Sequence, residues 1–215
     1  MNELRTILDD VVTRLFTDLV TKDLRESAER GEWPDGLWQA VEENGLTLPL
    51  VSEPKGGAGG TWGDAHVVVR AAQMAGGLDY LLRQASQYAT ERRQFGKPIG
   101  SFQVIQQNLA VLAGHTAAAG TAAANAFRAA DRGDAAFEIA VAKVRVGEAA
   151  GIGAQIAHQV HGAIGFTYEH ALQFATRRLW SWRAEFGGEG DWAVELGRAV
   201  AERGADALWP HLTAR

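Results

Sequence analysis

The 215-residue chain contains no cysteine. That excludes a disulfide framework and thiolate chemistry, and it suits a reducing, cytoplasmic compartment. A basic excess is missing as well. Against 26 Asp and Glu there are 21 Lys and Arg, a formal net charge of −5, so neither nucleic acid nor an anionic membrane is expected as the main partner. No apolar run approaches the ~18 residues that span a bilayer. The N-terminal stretch MNELRTILDDVVTRLF carries Glu3, Asp9 and Asp10 and reads as neither signal nor transit peptide. Internal repeats are absent, and so is low complexity beyond alanine enrichment. These absences leave a soluble globular protein.

What the chain does contain is helical periodicity, almost without strand-like alternation. Residues 2–28 predict one or two amphipathic helices with Leu4, Ile7, Leu8, Val11, Leu15 and Leu19 on one face. Pro34 opens a short helix through Leu37, Trp38 and Val41 that stops at Asn44-Gly45. Residues 46–61 (LTLPLVSEPKGGAGGT) form an irregular connector. Helical pattern resumes over 64–93, as one long helix or as two meeting near Gly76-Gly77. After a Gly-Lys-Pro-Ile-Gly break, Ser101 is placed to cap a helix to about residue 130. Its stripe is Phe102, Ile105, Leu109, Leu112, Ala119, Ala123 and Phe127, with Thr116 the polar member. Residues 131–134 read as a turn, with Asp134 a cap for an Ala- and Gly-rich helix through Val160. Further helices follow over 169–186 and 191–203. The expected fold is all-α: a small helical unit over 1–63, then over 64–215 an antiparallel bundle of about four long helices.

The most informative stretch is YATERRQFGKPIGSFQVIQQNL, from Tyr88 to Leu109. Two helices joined by a tight turn bearing Arg92, Gln94 and Phe95 suit a planar, phosphate-bearing cofactor. A guanidinium offers a charged fork to phosphate oxygens, and an aromatic ring offers a flat apolar surface. The same residues also suit a solvated helix end beside an ordinary core corner.

That segment, with Gln103 and Gln106, resembles the C-terminal helical domain of the acyl-CoA dehydrogenase family. A second segment, QVHGAIGFT from Gln159, followed by Glu169-His170 and Arg177-Arg178, resembles the same domain at the expected distance along the chain. Leu37-Trp38, Gly45-Leu46 and GGAGG at 56–60 are similar to the family's first helices. The resemblance implies FAD at a subunit interface, with Arg92 on the pyrophosphate, Gln94 and Phe95 lining the flavin and Gln103 in support. It also brings the backbone of Gln159, Val160, His161, Gly162 and Ala163 close to the adenosine half. Ala163 stands where the family commonly has a second glycine.

Two departures accompany the resemblance. Residues 63–70 already adjoin the bundle's first helix at 71–77, so a family member without the middle β domain is expected. The late-helix position of the family's catalytic glutamate falls on Phe186, with Glu185 adjacent, and the alternative position falls on His66. No catalytic base is therefore assigned. The resemblance implies α,β-oxidation of an acyl-CoA, electrons passing to an electron-transfer flavoprotein or similar carrier, and a homo- or hetero-oligomer including a full-length homologue. A non-catalytic scaffold or assembly subunit of the same descent is the alternative.

Other candidates carry less. His158 and His161 lie one turn apart but have no third ligand, so structural or backbone-bonded histidines are expected and no metal is assigned. Gly151-Ile152-Gly153 falls inside a helix and is no dinucleotide fingerprint. Trp180, Trp182, Trp192 and Trp209 are expected in packing, mainly of the core.

Overall fold

The computed structural model describes residues 3–43, 62–132 and 135–214. They are almost wholly helical, and the chain divides into two compact units, Met1–Thr61 and Trp62–Arg215. The first unit holds α1 (Glu3–Leu19), α2 (Lys22–Glu29) and α3 (Asp35–Glu43). Thr21 caps α2 by accepting the Leu24 amide at 3.2 Å. The chain enters α3 directly after Pro34, whose carbonyl accepts the Trp38 amide at 3.0 Å. The 46–61 connector lies outside the described residues.

The second unit is built on α4 (Trp62–Glu91), α5 (Gln103–Arg132) and α6 (Ala136–His161), which pack on one another along their lengths. Short links separate them, so successive helices run antiparallel. Helix α4 is continuous through Gly76-Gly77. At Gly77 the missing side chain admits Leu179, whose Cδ2 lies 3.1 Å from where a Cβ would stand. Met74, Leu78, Leu81, Leu112, Val146, Leu172 and Leu179 are fully enclosed, and alanines of α5 and α6 fill most of the remaining interface. The small-residue surface of α6 is what lets α4, α5, α7 (Leu172–Ala184) and α8 (Glu189–Arg203) all reach it.

Several local expectations are corrected. Ser101 does not cap α5. Its hydroxyl donates to the Pro98 carbonyl at 2.7 Å within a 3-10 turn, Ile99–Ser101, and α5 begins after an extended Phe102. Phe127 is exposed; Ala126 and Ala129 take the buried positions of that turn instead. Asp131 and Arg132 continue α5 rather than forming a turn. Helix α6 starts at Ala136 after Ala135, which has no side-chain cap, and Asp134 lies outside the described residues. The expected 169–186 helix is shorter, and a final helix, α9 (Leu208–Thr213), follows where none was expected. Trp182 and Trp192 pack against the core, but Trp180 and Trp209 are exposed.

Candidate cofactor site

Helix α4 ends in a miniature hairpin. Arg93–Gln94 (β1) pairs antiparallel with Lys97–Pro98 (β2), Arg93 opposite Pro98 and Gln94 opposite Lys97. The turn between them is Phe95-Gly96, and both residues are left-handed, at φ 53° and 81°. Two positive φ values give the backbone twist that a two-residue hairpin needs. Glycine accepts this freely, whereas a phenylalanine is strained by ~1–2 kcal/mol. The Phe95 side chain is nonetheless 92% exposed.

The hairpin base is held firmly. The Arg92 amide donates to the Tyr88 carbonyl, and the Ile99 amide donates back to the Arg92 carbonyl, both at 2.8 Å. Arg93 Nη2 donates to the Gly96 carbonyl at 3.0 Å, and Gln106 Nε2 to the Gly100 carbonyl at 3.0 Å. Phe102 presents its ring to the Phe95 edge at 6.1 Å and to Lys97 Nζ at 4.4 Å. Arg92, Gln94, Phe95 and Gln103 therefore lie exposed on one rigid corner.

The second segment lies against the base of this corner. Val160 shares a buried cluster with Ala85, Ala89, Ile99 and Leu112. His161, 4% exposed, stacks on Tyr88 with ring centroids 4.5 Å apart. Those two side chains thus face the protein, while Gln159, Gly162 and Ala163 are exposed. Helix α6 stops because Gly162 takes φ 64° and ψ −145°, a conformation reserved for glycine. Gln159 and Gly162 line a groove of about 490 Å³ with Ala154, Gln155, His158, Phe166 and Trp180. His158 stacks flat on Phe166 at 4.1 Å. An adjoining groove shares Gln155 and Trp180 and ends at the Arg183–Glu189 ion pair.

Burial holds the imidazoles of His158, His161 and His170 below the usual histidine range. All three are therefore neutral at physiological pH. His161 Nδ1 donates to the Ala157 carbonyl at 2.8 Å, as expected of a backbone-bonded histidine. Among the described residues no three potential metal ligands converge.

The position expected for a catalytic carboxylate is occupied differently. Phe186 lies in a left-handed turn at φ 58°. The Glu185 carboxylate pairs with Arg70 at 2.5 Å, and Arg70 also lies over the Trp182 ring at 5.2 Å. Sequence reasoning missed what fixes this turn. Lys143, 1% exposed, directs Nζ to the carbonyls of Glu185 at 2.7 Å, Arg183 at 3.4 Å and Trp182 at 3.5 Å. A cation at the C-terminal end of α7 meets orphan carbonyls and the negative end of the helix. Burial lowers the Lys143 pKa, with Glu185 and Glu189 opposing that fall. The available signal was a single lysine among the apolar residues of IAVAKV.

The corner and its neighbouring segment coincide with a known sequence pattern. Residues 68–195 match the family described as acyl-CoA dehydrogenase, C-terminal domain. The chain belongs to the acyl-CoA dehydrogenase family. It is 39% identical over 132 residues to the acyl-CoA dehydrogenase FadE34 of Mycobacterium tuberculosis, covering 60% of this chain and 19% of that protein. It is 36% identical over 139 residues to the glutaryl-CoA dehydrogenase of Desulfococcus multivorans, covering 59% and 36%. The chain thus spans well under half the length of these acyl-CoA dehydrogenases. Among solved structures, the ChsE4–ChsE5 complex of Mycobacterium tuberculosis superposes with a TM-score of 0.59 at 29% identity, covering 66% of this chain and 39% of that one. The FAD complex of PigA superposes with a TM-score of 0.57 at 26% identity, covering 61% and 34%. Among the described residues no helix is long and apolar enough to cross a membrane.

Proposed function

We propose that this chain is a subunit of an FAD-dependent acyl-CoA dehydrogenase and supplies the helical side of a flavin site. The observation that carries the proposal is Phe95. A strained, solvent-exposed aromatic at the tip of a well-anchored hairpin destabilises the isolated fold and gains a purpose only when covered. The neighbouring chemistry fits FAD. The Arg92 guanidinium is exposed and makes no ion pair among the described residues, and so suits the pyrophosphate. Gln94 and Phe95 suit the flavin, with Gln103 beside them. The exposed Gly162 backbone and the groove holding Gln159, His158 and Phe166 suit the adenosine half.

When bound, FAD supplies the hydride acceptor for α,β-oxidation of an acyl-CoA thioester. This chain's own part is to bind and orient the cofactor. Phe186 stands at the expected position of the base and Glu185 is paired with Arg70, so a second chain provides the carboxylate and the rest of the pocket. The solved ChsE4–ChsE5 complex is a relative built from two chains and supports this arrangement. Electrons then pass to an electron-transfer flavoprotein or similar carrier. The same Phe186 and Glu185 favour a second reading, a non-catalytic scaffold that has kept the corner and lost the flavin.

The visible spectrum and flavin fluorescence of the purified chain, recorded on adding FAD, separate the two. Quenching that is unaffected by any acyl-CoA until the partner chain is added supports the flavin-side subunit. A colourless protein that leaves FAD fluorescence unchanged supports the scaffold.

A further inference from the structure

Three imidazoles fasten residues 162–171 to the bundle, and their hydrogen bonds define how each is protonated. His161 Nδ1 donates to the Ala157 carbonyl, so Nε2 is a bare acceptor; it is buried and has no hydrogen-bond partner. The Thr176 hydroxyl donates to the Gln173 carbonyl at 3.3 Å, so its oxygen accepts from His158 Nε2 at 3.1 Å. That leaves His158 Nδ1 bare, buried and unpartnered. His170 Nδ1 accepts the amide of Leu172, the first residue of α7, at 3.1 Å.

The rings interlock. His161 lies between Tyr88 of α4, stacked at 4.5 Å, and His170, edge-on at 4.9 Å; His170 also meets Tyr88 edge-on at 6.4 Å. His158 stacks on Phe166. Gly165 closes the arrangement, because a Cβ there would stand 3.0 Å from the Cβ of His161 and 3.3 Å from His158 Nδ1.

The groups facing these rings offer no counter-charge. From α4 the facing group is Tyr88, from α7 Thr176, from the 162–171 segment His170 and Phe166, and on α6 itself the other histidine. Among the described residues no carboxylate acts on any of the three. The C-terminal end of α6 favours a cation at His158 and His161, by up to ~2 kcal/mol in partly buried geometry. Desolvation outweighs that contribution.

We propose that the three histidines form an acid-sensitive latch: proton uptake opens residues 162–171 and the start of α7 away from the end of α4, leaving the α4–α5–α6 core closed. A proton on His161 Nε2 or His158 Nδ1 adds a buried donor with no acceptor. A proton on His170 Nδ1 displaces the Leu172 amide. Each folded pKa lies below the ordinary 6.5, so the stability these groups contribute is complete above about pH 6.5. It is lost as pH falls below that value and through the depressed folded values. The latch belongs to the chain alone. Only its consequence, that acid withdraws Gly162 and Phe166 from the groove, rests on the proposed flavin site.

Amide hydrogen exchange of the chain without flavin, corrected for intrinsic rates at each pH, tests the latch. Between pH 6.5 and 5.5, protection of residues 162–173 should fall by up to about tenfold for each proton gained, while that of α4 residues 74–85 stays constant. His161→Phe keeps a stacking ring and should remove part of this dependence. Should that variant misfold, imidazole nitrogen shifts of the wild-type protein serve instead: His161 should stay neutral, with its proton on Nδ1, to a lower pH than an ordinary imidazole. Protection that is independent of pH, or a His161 titrating at or above 6.5, overturns the proposal.

Discussion

Phe95 sets the terms at the residue scale. Its left-handed backbone lies in a turn whose other member is already Gly96. Phe95→Gly should therefore stabilise the isolated chain by about 1 kcal/mol in a denaturant titration. The same substitution should weaken any FAD quenching; unchanged quenching would separate the ring from the cofactor. Lys143 makes the opposite prediction. Lys143→Met leaves the carbonyls of Trp182, Arg183 and Glu185 without their charged donor. The unfolding midpoint should fall by the equivalent of about 2 kcal/mol. An unchanged midpoint would mean that the desolvation of Lys143 cancels its hydrogen bonds. Neither role is visible in sequence order. Arg92, Gln94 and Phe95 could be picked out by type and spacing, but the strain at Phe95 emerges only once the 93–98 hairpin closes, and the target of Lys143 only once α6 lies against the end of α7.

Helix packing was legible to different degrees. Helix type followed from periodicity because these helices are long and their apolar positions recur. Their ends did not, since several are set by tertiary contact and not by caps. Ser101 is drawn into the turn by Pro98, and α6 starts without a side-chain cap. Phe127 is exposed where the periodicity predicts burial because α5 is so rich in alanine that two neighbouring stripes look alike, and the small one, through Ala126 and Ala129, is the one enclosed. Glycine makes this scale testable. A Cβ at Gly153 would stand 2.5 Å from Leu78 Cδ2 and 3.2 Å from Leu112 Cδ1, whereas one at Gly120 meets nothing within 4 Å. Gly153→Val should destabilise by about 1–3 kcal/mol. Gly120→Ala should stabilise by up to about 1 kcal/mol through helix propensity alone. Similar midpoints for the two variants would contradict the close approach of α6 to α4 and α5.

Across the Trp62–Arg215 unit, two segments far apart in sequence meet: Val160 packs with Ala89 and Ile99, and His161 stacks on Tyr88. The corner and the groove are therefore parts of one surface. The two motifs, the second of which includes Phe166, pointed to the same family, but the chain order did not show that His158, Phe166 and Trp180 wall one groove. That groove forms only where the turn after Gly162 folds back over α6 and stacks Phe166 on His158. In the proposed site this surface grips the phosphates of FAD through Arg92. The most direct measurement is the FAD dissociation constant of the chain and of Arg92→Ala, in the presence of the partner chain if the chain alone binds weakly. Loss of one charge-assisted contact should weaken binding about tenfold or more with helicity unchanged. Equal affinity in the two proteins would mean that Arg92 does not hold the cofactor.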